Sequence, residues 1–311
     1  MHILVTGSSG FLGKFLCDRL TAMGHQVICV HSKNCDLRQK DSLNAWNKIR
    51  FDQIFHLATW TQAGDFCLYH SGEQWLFNQQ INSNVLAWWQ SNQKQAKMIC
   101  IGTSCAYDPA LPLEESYYLQ GSPIESLYAY GMTKRMLLVG LMSLHRQFGL
   151  DYLYLIPSTL YGPLYHTDDR QMHFIFDLIR KILRGQFYGE DVKLWGDGEQ
   201  KRELVHVNDF IDVMIPLAAH QKNTVLNIGA GREYSIRQFA EMICGYVGYS
   251  KDRIIYDIDR YVGARSKILS NAKLESIMPE YRPTSLQKGL NETIDWFIQN
   301  REQLLPQKGM L

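Results

Sequence analysis

Met1-His2-Ile3-Leu4-Val5-Thr6-Gly7-Ser8-Ser9-Gly10-Phe11-Leu12-Gly13 opens the chain and decides its fold. The apolar run before Gly7 reads as a short strand, and the pattern after Gly13 reads as a helix through Met23. Between them stand three glycines at even spacing. Glycines so placed allow a tight turn, let backbone amides approach a diphosphate and let the helix pack closely on the strand. Gly7, Ser9, Gly10, Phe11, Leu12 and Gly13 therefore form the expected cradle of a dinucleotide. The fold this predicts is α/β: a Rossmann-type, doubly wound parallel sheet.

The following segments extend that reading. Val27 to Val30 reads as the second strand and runs into His31-Ser32-Lys33-Asn34. Rossmann units that select NAD carry an acidic residue near this point, which holds the ribose 2′-hydroxyl. Here His31, Ser32 and Lys33 stand in its place and suit a 2′-phosphate, so NADP(H) is expected over NAD(H). Ile54 to Ala58 reads as the third strand, with Leu57, small Ala58 and Thr59 reaching the cofactor. A helix from Ile81 to Gln90, a fourth strand from Lys97 to Gly102 and a fifth from Asp151 to Leu155 follow.

The fourth strand delivers Gly102-Thr103-Ser104-Cys105-Ala106-Tyr107, and downstream stands Tyr128-Ala129-Tyr130-Gly131-Met132-Thr133-Lys134. Tyr130 and Lys134 begin a helix read as Tyr130 to Phe148, so their side chains share a face one turn apart. A lysine ammonium there is expected to lower the phenol pKa from its reference of about 10. The pair would then exchange a proton with a carbonyl/alcohol couple near neutral pH. Cys105 is a soft acid/base, with a reference pKa of about 8.5, suited to moving a carbon-bound proton.

Bulk composition narrows the classes. The 311 residues are 46% hydrophobic and 20% charged, with a net charge of +1. That describes a globular protein with length for one large or two unequal domains. A balanced charge argues against nucleic acid or an anionic membrane as the main partner. The apolar stretch Met136 to Leu144 is too short to span a bilayer. Seven scattered cysteines without a Cys-x-x-Cys pattern fit reduced thiols, so no metal site and a cytoplasmic location are expected.

Gly7-x-x-Gly10-x-x-Gly13, Thr103 and Tyr130-x-x-x-Lys134 together resemble the extended short-chain dehydrogenase/reductases, Rossmann enzymes that largely remodel nucleotide sugars. The resemblance runs from the first glycine to Trp296-Phe297. It implies an NADP(H)-binding domain over residues 1–163, completed by a returning segment near 203–230, and a mainly substrate-binding domain over 164–311. It also implies that Asp36 and Leu37 lie at the adenine and that Asn84 steadies nearby backbone. Pro157, Thr159 and Leu160, after the fifth strand, would face the nicotinamide, and so would His173. Thr103 would hydrogen-bond the substrate oxygen, and Lys134 would hold the nicotinamide ribose. A homodimer is implied through the helix after Tyr130.

Within that family the closest likeness is to the branch that epimerises and reduces GDP-4-keto-sugars. The carriers are Cys105, Tyr130, Lys134, His173 in Met172-His173-Phe174-Ile175, Trp195-Gly196-Asp197-Gly198 and Arg202. Sugar dehydratases of the family carry an Asp-Glu pair where this chain has Ser104-Cys105, which excludes their water elimination. The likeness implies that Cys105 and His173 remove and return a proton beside the C4 ketone, and that Tyr130 then protonates O4 during reduction. Ser104, Arg180, Lys181, Trp195, Arg202, Arg265 and Lys267 would surround the nucleotide sugar, the arginines gripping its diphosphate. Thr103 and Thr159 replace the usual serine and asparagine, and Trp60-Thr61-Gln62-Ala63-Gly64 replaces a Lys-Val-Gly-Gly stretch where the sugar lies. A changed hexose or a heptose is therefore open. The alternatives are a C4 reductase without epimerisation and a non-catalytic cofactor-binding protein. His166 to Arg170 reads as a polar loop.

Overall fold

The first strand, β1 (His2–Thr6), is buried from Ile3 to Thr6. Its side chains alternate between two cores: Leu4 joins one apolar cluster, while Ile3 and Val5 join another. A strand covered on both faces needs apolar residues at successive positions, which is why the run is continuous. The computed structural model describes residues 1–63, 66–166, 171–259 and 265–306. Residue 64 and the polar loop expected past His166 lie outside that description.

After β1 come α1 (Phe11–Ala22), β2 (Gln26–Val30), β3 (Gln53–His56), α2 (Phe66–Tyr69), α3 (Ser71–Asn92) and β4 (Lys97–Ile101). Then follow α4 (Tyr128–Phe148), β5 (Tyr152–Pro157), β6 (Thr159–Tyr161), α5 (Phe174–Tyr188), β7 (Val192–Trp195), β8 (Lys201–His206), α6 (Val207–His220) and β9 (Thr224–Ile228). The last elements are β10 (Glu233–Ser235), α7 (Ile236–Val247), β11 (Ile254–Asp257), α8 (Ala272–Ile277), α9 (Leu286–Gln299) and α10 (Arg301–Leu304). Six strands form a parallel sheet in the order β2-β1-β3-β4-β5-β9. Val85, Trp89, Leu137 and Leu141 of α3 and α4 cover one face, and Leu16, Leu20, Phe210 and Met214 of α1 and α6 cover the other. This is the doubly wound fold expected. The winding reverses between β1 and β3, so a crevice opens at their carboxyl ends, beside the glycine turn.

The stretch near 203–230 divides in space. Only β9 extends the main sheet, α6 covers a face of it, and β8 pairs instead with β6 and β10 in a three-stranded sheet. That small sheet, with α5, α7 and α9, encloses a separate apolar core containing Phe176, Ile179, Phe239 and Phe297. β7 and β11 form a parallel pair.

Helix α3 begins ten residues before the start read from the sequence. Its first turns point polar rather than apolar side chains inward. Buried Asn78 accepts from the Trp60 amide at 2.8 Å and the Thr59 hydroxyl at 3.0 Å, and donates to the Trp60 carbonyl at 3.0 Å. An amide that serves a loop's backbone breaks the apolar period by which a helix is recognised.

β1 and β3 are joined below the turn by a buried polar relay. The Thr6 hydroxyl accepts from the Ala58 amide at 3.2 Å and meets His56 Nδ1 at 2.8 Å, and His56 Nε2 meets Asn82 Oδ1 at 3.1 Å. These partners suit a neutral imidazole protonated on Nε2. Burial pushes the His56 pKa down to about 4. Between pH 6.5 and 4 an unfolded chain takes up a proton that the folded chain refuses, so stability held above pH 6.5 is lost as pH falls. Urea unfolding should show His56 contributing an acid loss on the order of 3 kcal/mol across that window. A His56→Gln variant should flatten the slope.

Candidate active site

Gly7 adopts a left-handed backbone with φ +69°, and a Cβ there would lie 2.7 Å from the Ala58 amide nitrogen. A Cβ on Gly13 would lie 2.3 Å from the Gly7 carbonyl oxygen. Helix α1 therefore sits closer to the turn than any side chain permits. Its cap, Gly10, makes no side-chain hydrogen bond, and its first turn holds no acid. The opening amides and helix dipole so placed fit a diphosphate. The Ser8 amide and hydroxyl both donate to the Val30 carbonyl, at 3.1 and 3.0 Å, tying the turn to the end of β2. Ser9 is exposed, while the Phe11 ring packs edge-on against Phe15, Tyr165 and Phe176, leaving its backbone to a ligand. Leu12 is half-buried.

At the end of β2, His31 is half-buried and Ser32 and Lys33 are exposed. A further cation, absent from the sequence reading, stands a few residues on in the chain. Arg38 forks onto the Asp36 carboxylate, with Nε at 2.9 Å from Oδ1 and Nη2 at 2.8 Å from Oδ2. It holds that carboxyl below the usual range. The guanidinium also lies 5.0 Å from the centre of the Phe77 ring. Asn84 donates to the Leu37 carbonyl at 2.9 Å, the backbone-steadying role expected of it. Leu57, Ala58 and Thr59 follow β3 into the crevice, half-buried.

The loop after β4 is held from beneath. The Thr103 amide donates to the Tyr118 phenol at 3.3 Å, which meets the Tyr154 phenol at 3.1 Å. Tyr154 in turn donates to the Lys134 carbonyl at 2.8 Å. Donors thus run in one direction from the loop to α4. Arg135, 4% exposed, closes the loop from the side. Its three nitrogens donate to the carbonyls of Ala106, Gly121 and Gln120 at 2.8, 2.8 and 2.7 Å.

Tyr130 and Lys134 share a face of α4, but the expected lowering of the phenol pKa is not observed. Lys134 Nζ donates to the Ile101 carbonyl at 2.9 Å and lies 6.0 Å from the centre of the Tyr130 ring. Burial raises the Tyr130 pKa, Cys105 and Tyr118 add to the rise, and Thr103 opposes it only in part. Burial also pulls Lys134 down to about 8. The phenol therefore stays protonated at neutral pH.

A cleft of about 510 Å³ opens beside this loop between the two cores. It brings together Ser104, Cys105, Thr159, His173, Lys181, Trp195, Arg202 and Lys267. Pro157 is buried at the end of β5, and Leu160 is half-buried in β6. Arg180 does not line the cleft, and its guanidinium pairs at 2.6 Å with Asp177, which also holds Lys181 at 2.9 Å. Arg265 is likewise outside it, its carbonyl accepting from the Lys201 amide at 2.8 Å. A larger and more open depression of about 590 Å³ lies at β9, lined by Glu114, Glu115 and Lys273. None of the expected site residues reaches it, and its carboxylates oppose an anionic ligand.

Among the cleft residues with shifted titrations, Cys105 and His173 bear on proton transfer. Burial alone would raise the Cys105 thiol, but the Lys267 ammonium, the Thr103 hydroxyl and the Arg202 guanidinium outweigh it, and the net shift is downward. Lys267 Nζ lies 2.9 Å from Cys105 Sγ, a partnership that no linear spacing announces across so long a separation. His173 caps α5 and opens to the cleft. Exposed in the cleft yet flanked by protein atoms, its imidazole is lowered first by partial desolvation and then by the charges of His166 and Lys267. Among the described residues no cluster of metal ligands occurs, and no helix is long and apolar enough to cross a membrane.

The NAD dependent epimerase/dehydratase family profile matches residues 3–229. The GDP-L-fucose synthase of Dictyostelium discoideum is 28% identical over 96% of this chain and 96% of its own. The GDP-L-colitose synthase of Yersinia pseudotuberculosis is 26% identical over 97% and 99%. A crystal structure of a GDP-L-fucose synthetase from Naegleria fowleri, bound to NADP, superimposes with a TM-score of 0.85 at 25% identity, covering 97% of this chain and 95% of that one.

The Arg135 clamp makes a direct prediction. Arg135→Met leaves three carbonyls without their donors, and urea denaturation should show a loss of about 3 kcal/mol or more. Arg135→Lys keeps the charge but not the fork, and should recover only a fraction.

Proposed function

The chain belongs to the NAD dependent epimerase/dehydratase family, and on that premise we propose that it is an NADP(H)-dependent, cytoplasmic enzyme that epimerises and reduces a GDP-4-keto-sugar, a 6-deoxy-hexose or related heptose. The observation that carries the reading is the cleft itself. It places a thiol with a lowered pKa and a neutral imidazole in one space, beside the loop that bears Thr103 and close to cationic Lys181 and Arg202. The Naegleria and Dictyostelium proteins, whose names specify a GDP-sugar and, for the former, bound NADP, support the nucleotide and the cofactor.

In this reading the main sheet holds the dinucleotide and the smaller core holds the sugar nucleotide. The amides of the Gly7–Gly13 turn take the cofactor's diphosphate, His31, Ser32 and Lys33, with Arg38 nearby, take its 2′-phosphate, and Lys134 takes its nicotinamide ribose. Bound there, the cofactor supplies the two electrons that reduce the C4 ketone. Before that, the ketone acidifies the neighbouring C–H bonds, and Thr103 and Tyr130 donate hydrogen bonds to the oxyanion that develops. Cys105 removes the proton as a thiolate, and His173 returns one. The anions of substrate and cofactor raise the His173 pKa toward the charged form that this return requires. Tyr130, kept protonated by burial, then delivers its proton to O4. Trp195 and Arg202 hold the nucleotide end.

Exposed Trp75 and Leu76 of α3 and Met136, Val139 and Met142 of α4 leave apolar surface on the outer layer. We assign it to a second copy. Sedimentation equilibrium should return twice the chain mass of 36.0 kDa, and a monomer would exclude the assignment.

The chemistry is tested by NMR of GDP-4-keto-6-deoxy-mannose with the protein in deuterium oxide, first without NADPH and then with it. Deuterium should enter at C3 or C5 before reductant is added. Cys105→Ser should slow that entry about 100-fold or more, and Tyr130→Phe should slow reduction by a comparable factor. Reduction with no exchange would leave a C4 reductase. Neither exchange nor NADPH oxidation with any GDP-4-keto-sugar would refute the reading.

A further inference from the structure

The contact between Lys267 and Cys105 is more than a basic residue waiting for a diphosphate, because the backbone on both sides of Lys267 is pinned. The Arg265 carbonyl accepts from the Lys201 amide at 2.8 Å. Glu233 Oε2 accepts from the Ser266 hydroxyl at 2.7 Å and from the Lys267 amide at 3.3 Å. Two residues further on, Glu203 Oε2 accepts from the Leu269 amide at 3.1 Å, and its Oε1 accepts from the Gly231 amide at 2.8 Å. Glu203 is 2% exposed, a buried carboxylate serving backbone amides. It adjoins Arg202, so successive residues of β8 send a guanidinium to the cleft and a carboxylate to the irregular segment that carries Lys267.

We propose that Lys267 is a positioning residue: its ammonium, fixed by the Glu203 and Glu233 clasps, holds Cys105 as a thiolate before any substrate arrives. This rests on the reading of Cys105 as the proton acceptor. The electrostatic surroundings agree. Among the described residues, Lys267 and Arg202 are cations acting on the sulfur, and the phenols of Tyr130 and Tyr118 and the thiol of Cys67 also interact with it. Burial raises all three of these, so they stay neutral and do not compete for the ammonium at neutral pH. His173, on the same cleft, is neutral as well. A cysteine so paired is already deprotonated and takes a carbon-bound proton directly onto its sulfur.

The test needs no substrate. Alkylation of the full chain by iodoacetamide, followed at the Cys105 peptide by mass spectrometry from pH 5 to 10, reads the thiolate fraction directly. Exposed Cys29 on β2 serves as the internal reference. Wild-type Cys105 should titrate below the free-thiol value of about 8.5. Lys267→Met should move its profile up by about one unit or more and slow alkylation at pH 7 about ten-fold, with the Cys29 profile unchanged. Lys267→Arg should restore most of the shift, and Glu203→Gln, which sets an amide against a backbone donor, should move it part of the way. Should Lys267→Met not fold, Lys267→Gln supplies the same comparison. A profile that does not move on removing the ammonium overturns the proposal. Deuterium exchange into substrate with an unmoved alkylation profile would refute the ion pair and keep the enzyme, whereas a shifted profile without exchange on any sugar would do the reverse.

Discussion

Two adjacent cations on α4, Lys134 and Arg135, give their hydrogen bonds to backbone carbonyls rather than to carboxylates. Lys134 holds the last residue of β4, and Arg135 holds three carbonyls further along the same loop. Both charges sit in buried surroundings, and burial lowers both pKa values. Such placement costs solvation, and it is tolerated because a loop that leaves a parallel sheet has carbonyls with no strand partner to accept from. One helical turn thus decides where Thr103, Ser104 and Cys105 stand. The phenols of Tyr118 and Tyr154 brace the same loop from below, so its geometry is over-determined before any ligand binds.

The second constraint is the meeting of two cores. The main sheet and its helices bring Ser104 and Cys105 to the cleft, while the smaller core brings His173 at the cap of α5 and Lys181, Trp195 and Arg202 on α5, β7 and β8. The Phe11 ring spans the junction, packing on Tyr165 and Phe176. The cleft is the space left where a sheet built to bury both faces abuts a layer with its own core. Its electrostatics follow from that position: the charges of Lys267 and Arg202 draw Cys105 toward the thiolate against the effect of burial, and the cations of the smaller core favour a diphosphate.

The loop after β3 shows how a departure from a family pattern becomes a packing fact. Trp60 lies 5.0 Å from the Phe66 ring and 5.1 Å from Phe77, and its backbone is gripped by Asn78. Gln74, wholly buried, donates to the Thr61 hydroxyl at 2.8 Å. The replaced stretch is therefore tied to the start of α3, a segment whose inward polar face hid it from a reading by apolar period.

Most of the fold was legible in the chain because its signals are local. Gly7, Gly10 and Gly13 require a tight approach of backbone to backbone, the apolar runs of β1, β4 and β5 require burial on both faces, and Tyr130 and Lys134 share a face by helical geometry alone. These are properties of neighbours in sequence. What only the tertiary structure decided is the chemistry set by distant partners. Lys267 meets Cys105, Arg180 pairs with Asp177, β8 joins β6 rather than the main sheet, and the Tyr130 phenol is raised by burial rather than lowered by its lysine. Titration depends on which charges and how much water surround a group, and those surroundings exist only once segments far apart in the chain have packed together.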